Sequence, residues 1–158
     1  MRKTIKNLVA IVTVVTAFFG LSVLFLIFLG YRPFIITTQS MEPMFMQGSL
    51  CWVDTRVTLD SLEIGDAIVY RSPANSLVLH RLVGIQESDT PSSLSVVMQG
   101  DANELTQNVE LSHINYVGRE AFTIPRLGTA VDKLISSQGI WFVVAFLLIL
   151  SCIPWGND

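Results

Sequence analysis

The sequence predicts a small, mainly β domain held at a membrane by an N-terminal transmembrane helix, with a second, short transmembrane helix expected at the C-terminus. Three observations lead there. Hydrophobic residues make up 51% of the 158 and charged residues only 15%, against about 25% charged in an ordinary soluble domain. The excess lies in two terminal blocks, residues 8–29 and 140–153. Between them, short β-branched and aromatic runs alternate with Gly, Pro and Asp turn signals, and no 3.6-residue periodicity is sustained.

The first block holds 18 hydrophobic residues in 22 and no charge. As a helix it rises about 33 Å, enough for a hydrocarbon core of about 30 Å. Arg2, Lys3 and Lys6 precede it, so the positive-inside bias keeps the N-terminus in the cytoplasm and sends the chain after residue 29 outward. A cleavable leader is the competing reading. Its apolar core spans only about 7–15 residues and ends at a small-x-small site, and Phe28-Leu29-Gly30-Tyr31 supplies no such pair. The expected organisation is an anchor over 1–29, an extracytoplasmic β-rich domain over 30–138 and a hydrophobic segment over 139–158. Within the last, residues 140–153 hold 13 hydrophobic residues in 14, bracketed by Trp141 and Trp155. That is short for a span, but flanking tryptophans at the two interfaces favour one.

In the middle, strands are expected at 50–53 after Gly48, at 67–70 after Gly65-Asp66 and at 77–85 after Pro73-Ala74-Asn75. Two more are expected at 96–98, before Gly100-Asp101, and at 122–124, running into Pro125. Residues 88–93 read as a polar loop. Ten Lys+Arg against thirteen Asp+Glu leave no basic footprint, so no nucleic acid partner is expected. Cys51 reads as a buried strand residue; far from Cys152, it makes neither a disulfide framework nor a zinc cluster with it. No phosphate-cradling glycine loop is present, and no metal or organic cofactor is expected.

A hydrolytic nucleophile needs a base within hydrogen-bond reach. Beyond the first block the bases on offer are His80, His113 and a single lysine, Lys133, beside the C-terminal block. A serine–lysine pair is hard to assemble from these, so a histidine is the natural base. Among the serines, Ser40 has an unusual setting, a polar island eleven residues past the first block. An extended chain covers at most about 3.6 Å per residue, which keeps Ser40 within about 40 Å of the end of the span. Met41, Met44, Phe45 and Met46 around it fit either a core or an apolar rim touching lipid or substrate. Asp66 reads as a turn residue, His113 as a surface residue, and Arg81 as the partner of a carboxylate or of a lipid phosphate.

Ser40-Met41-Glu42-Pro43, His80-Arg81 in a hydrophobic strand and Gly100-Asp101-Ala102-Asn103 resemble the boxes of type I signal peptidases. The match is to the serine–histidine form of the endoplasmic-reticulum and archaeal branch. Gly65-Asp66-Ala67-Ile68-Val69-Tyr70, Val117-Gly118 and Ile124-Pro125 follow in the family's order, so the resemblance runs from the anchor to about residue 128. It implies a small signal-peptidase-like catalytic domain and a membrane-bound serine endopeptidase. Such an enzyme removes N-terminal signal peptides from exported preproteins by acyl transfer at the outer face of the cell membrane, or of the endoplasmic reticulum membrane in a eukaryote. Its partners would be signal-peptide-bearing preproteins and the lipid bilayer, with membrane partner subunits left open.

Carried onto this chain, the resemblance makes Ser40 the nucleophile, His80 the general base and Asp101 the acidic residue that orients the imidazole. Thr38 would support the oxyanion hole beside the Ser40 N–H. One position departs. Where family members carry a second aspartate six residues after the first, this chain has Gln107, which leaves Asp101, Glu104 or Glu110 to act as the carboxylate. The rival expectation is a catalytically impaired, anchored β-domain that binds exported chains or a partner peptidase.

Overall fold

The computed structural model describes residues 2–86 and 93–136. Residues 88–92 of the expected loop, Cys152 and the whole hydrophobic segment 139–158 with its expected span lie outside the described residues. Helix α1 covers Arg2–Phe28, and Lys6–Phe28 within it is long and apolar enough to cross a membrane by length and composition. Thr13, Thr16 and Ser22 donate their hydroxyls to carbonyls four residues back. These polar side chains are thereby satisfied inside the helix, as a hydrocarbon surrounding demands. Phe18, Phe19 and Phe28 are exposed on its surface, a pattern suited to lipid and not to water.

Gly30–Thr129 forms one compact unit. Among the described residues, seven strands make one curled antiparallel sheet: β1 Tyr31–Ile35, β2 Leu50–Asp54, β3 Ala67–Arg71, β4 Leu77–Gln86, β5 Ser93–Gln99, β6 Gln107–Ser112 and β7 Tyr116–Ile124. Their order across the sheet is β1-β2-β7-β3-β4-β5-β6. Helix α2, Leu127–Ile135, follows. The chain is mainly β, and all five expected strands are present. Those the sequence did not announce are β1, β6 and the first six residues of β7. Both β1 and β6 lie at the edges, where Pro33 and the polar Gln107, Asn108 and Glu110 are tolerated and the apolar signal is weakest.

The sheet buries both of its faces. Ala67 and Val69 of β3 join Met41, Phe45, Cys51, Val53 and Leu79 in one cluster. Ile68 and Tyr70 join Leu82, Val96, Met98 and Leu111 in another. Successive side chains of a strand point to opposite faces, so a strand covered on both sides is apolar throughout, as residues 67–70 are. His80 lies opposite Ile68 and Arg81 opposite Ala67. The imidazole therefore shares the second face, and the guanidinium shares the first.

Candidate active site

Ser40 sits in the loop that joins β1 to β2. The neck of that loop continues the ladder: Ile36 N–H donates to the Ser49 carbonyl at 3.0 Å and Gly48 N–H to the Ile36 carbonyl at 2.7 Å. Gln47 Nε2 adds a bond to the Thr37 carbonyl at 2.7 Å. Inside the neck the chain winds into a turn closed by Phe45 N–H on the Met41 carbonyl at 2.9 Å. Met41 and Phe45 are 1% and 7% exposed, while Met44 and Met46 are 70% and 47% exposed. Core and rim thus divide the four apolar residues equally, and the buried pair pins the serine's turn to the domain.

A second strand end fixes the same turn from outside. Ala102 N–H donates to the Ser40 carbonyl at 3.0 Å. Gly100, at the end of β5, lies so close that a Cβ there would collide with the Ser40 carbonyl oxygen and with the Asn103 amide. The glycine of this box is therefore required by contact. Ser40 Oγ shares a 3.2 Å hydrogen bond with Thr38 Oγ1, which puts both hydroxyls at one spot.

His80 is buried on β4, only 6% exposed, and meets the Tyr70 ring edge-on with centroids 6.4 Å apart. Among the described residues its Nδ1 has no hydrogen-bond partner. Burial, the larger influence, lowers its pKa from the ordinary 6.5, and the negative charge of Asp101 opposes that shift. The net effect favours neutral imidazole, the form that accepts a proton. Ser40 and His80 both line one cleft of about 1010 Å³, together with Thr38, Tyr70, Val78, Asn103, Gln107 and Glu110. Among the described residues no hydrogen bond joins Ser40 Oγ to His80; catalytic contacts of this kind often tighten only when substrate binds.

Asp101 is engaged elsewhere. Its two oxygens accept from Nε and Nη2 of Arg81 at 2.7 and 2.6 Å, a bidentate pair with both side chains less than a third exposed. The same guanidinium donates to the Gly65 carbonyl at 2.8 Å and lies over the Phe45 ring at 5.9 Å, a cation–π contact. Arg81 is thus the partner of a carboxylate, and Asp101 acts on His80 through its charge. Glu110 and Gln107 line the cleft, and Glu104 is exposed. Asp66 is a turn residue that accepts the Glu63 N–H at 3.0 Å. His113 is exposed in the β6–β7 turn. Cys51 is fully buried, and burial pushes its thiol up to about 12, which makes it inert at neutral pH. Tyr70 escaped the sequence reading because its approach to His80 depends on the β3–β4 register.

No family model matches the sequence, but two curated relatives do. The chain is similar to "Signal peptidase complex catalytic subunit sec11" of Schizosaccharomyces pombe, with 28% identity over 104 residues that cover 54% of this chain and 54% of the relative. It is similar to "Signal peptidase I W" of Bacillus subtilis, with 33% identity over 86 residues that cover 54% of this chain and 44% of the relative. The chain spans about half the length of these relatives. With the serine, histidine and glycine–aspartate boxes in order on a mainly β fold behind an apolar helix, these two matches support assignment of the chain to the type I signal peptidase family.

Proposed function

We propose that the protein is a membrane-bound serine endopeptidase that removes N-terminal signal peptides from exported preproteins at the outer face of the membrane. The observation that carries this reading is that Ser40 and a buried, neutral-favouring His80 line the same cleft. The names of the two relatives support the substrate class. The cationic residues ahead of the apolar helix support an N-terminus in the cytoplasm and chemistry on the far side.

In the proposed reaction Ser40 Oγ attacks the scissile carbonyl carbon while its proton passes to His80. The oxyanion so formed accepts hydrogen bonds from the Thr38 hydroxyl and the Ser40 N–H. His80 then gives the proton to the leaving amine, the C–N bond breaks, and the leader stays as an ester on Ser40. Water, deprotonated by His80, releases the leader's carboxylate and restores the hydroxyl. Asp101, held by Arg81, lends negative charge to the transient imidazolium. No metal or organic cofactor enters any step.

A serine-directed acylating probe tests the reading. It is expected to label Ser40 in the detergent-solubilised protein, and His80→Ala is expected to abolish the labelling. A second reading, a domain that binds exported chains or a partner peptidase without cutting, is favoured by one observation: among the described residues His80 Nδ1 lacks a partner while Asp101 is committed to Arg81. Preprotein binding with no labelling of Ser40 would select that alternative.

The burial of His80 also sets a pH dependence. Its pKa lies below the ordinary 6.5, so the acid limb of kcat/KM is expected below that value; a limb above it would contradict burial as the dominant influence. Stability follows the same sign. The unfolded chain takes up this proton more readily than the folded one, so the contribution is full above the unfolded value and falls as pH drops toward the folded value.

A further inference from the structure

The cleft continues well past His80. It runs along β4 through Val78 to Leu77, three residues and about 10 Å from the imidazole at strand rise. Its opposite wall is β6. One face of a strand offers every second residue, yet Gln107, Asn108, Val109 and Glu110 all line the cleft. Four in succession means that the strand's edge looks into it. That edge is the open one, because among the described residues β6 pairs only with β5.

The backbone polarity of the edge can be read from its far end. The Glu110 carbonyl accepts from Asn115 Nδ2 at 2.7 Å and Ser112 N–H donates to Asn115 Oδ1 at 2.7 Å, so residues 110 and 112 turn their backbone groups away from β5. By the alternation of an antiparallel ladder, Asn108 does the same. The Asn115 amide therefore closes the far end of the edge and leaves it open at Asn108, on the side toward Asn103 and the serine turn.

We propose that the edge of β6 at Asn108 is a docking rail for the substrate residues that follow the scissile bond, paired with it as an added strand. The assignment rests on the peptidase reading for its direction: His80 must protonate the leaving amine, so the chain beyond the cut departs on the imidazole's side. There the cleft between Val78 and the β6 edge receives it. The rail is short, and it reads backbone in preference to side chains, so it suits a substrate class whose mature sequences vary.

Two peptides test this, both with an apolar leader and alanine one and three positions before the cut. One continues for six residues after the cut and the other for a single residue. A pair of backbone hydrogen bonds is expected to make kcat/KM for the long peptide about tenfold higher. Asn108→Pro removes the outward N–H at a position where an edge strand accepts proline, and is expected to bring the long-to-short ratio close to one. A general folding defect would lower both rates and leave the ratio. N-methylation of the amides after the cut in the long peptide is expected to remove its advantage on the unaltered protein. Peptide binding to the Ser40→Ala variant, read by fluorescence anisotropy, separates the two ideas. Length-dependent binding that Asn108→Pro abolishes, without cleavage by the native chain, keeps the rail and ends the peptidase. Cleavage with no dependence on length or on Asn108→Pro overturns the rail.

Discussion

Ser40→Ala and His80→Ala are each expected to lower preprotein cleavage by at least about 10³-fold. The reason lies in the hydroxyl's own chemistry. A serine is a poor nucleophile until a base takes its proton, and among the described residues lining the cleft the one imidazole is His80. The two side chains act as a unit, so the double variant is expected to be no slower than about the slower single one. His113→Ala is the control: it is exposed in the β6–β7 turn and is expected to leave the rate unchanged. The measurement is cleavage of a leader-bearing preprotein in detergent, with folding checked by far-UV circular dichroism. Retained activity in Ser40→Ala would end the proposal, while loss in His113→Ala would show that the turn and not His80 supplies the base.

What the sequence made legible was whatever depends on short linear pattern. Ser40-Met41-Glu42-Pro43 and the apolar run 67–70 declare themselves locally, the first by its boxes and the second by burial on both faces. What stayed hidden depends on register. Whether Arg81 meets a carboxylate follows from its place opposite Gln99, two residues before Asp101, and no local pattern encodes that pairing. The same holds for Tyr70 against His80, which requires β3 and β4 to align with Ile68 opposite His80. Edge strands were the other blind spot. A strand covered on one side only, carrying Pro33 or a run of amides, lacks the apolar alternation that marks a central strand. The amides of β6 that concealed it in the sequence are among the residues that line the cleft. The expected orientation of His80 by Asp101 illustrates the limit: the resemblance identified a residue, and contacts with Arg81 decided where its oxygens go.

Gly100→Ala is expected to reduce cleavage by about 10²-fold, because a displacement of about 1 Å at a reacting group costs that much. The added methyl meets the Ser40 carbonyl oxygen, a backbone atom that cannot rotate aside, and the Asn103 side chain. Relief requires the end of β5 and the serine's turn to separate. That movement lengthens the Ala102 N–H bond to the Ser40 carbonyl and carries Ser40 away from the position it shares with Thr38. Overpacking of this kind also destabilises by about 1–3 kcal/mol, so activity alone does not separate misplacement from loss of fold. Gly84→Ala supplies the comparison. Its Cβ would meet Val97 Cγ2 at 3.3 Å, a side-chain contact on β5 that repacking absorbs. Matching the two variants for stability isolates the effect of position. If Gly100→Ala remains slower at equal folded fraction, and labels more slowly with the acylating probe, the glycine holds the nucleophile in register with its base. Equal rates in the two variants would reduce Gly100 to a packing residue and leave the serine's placement to Met41 and the loop neck alone.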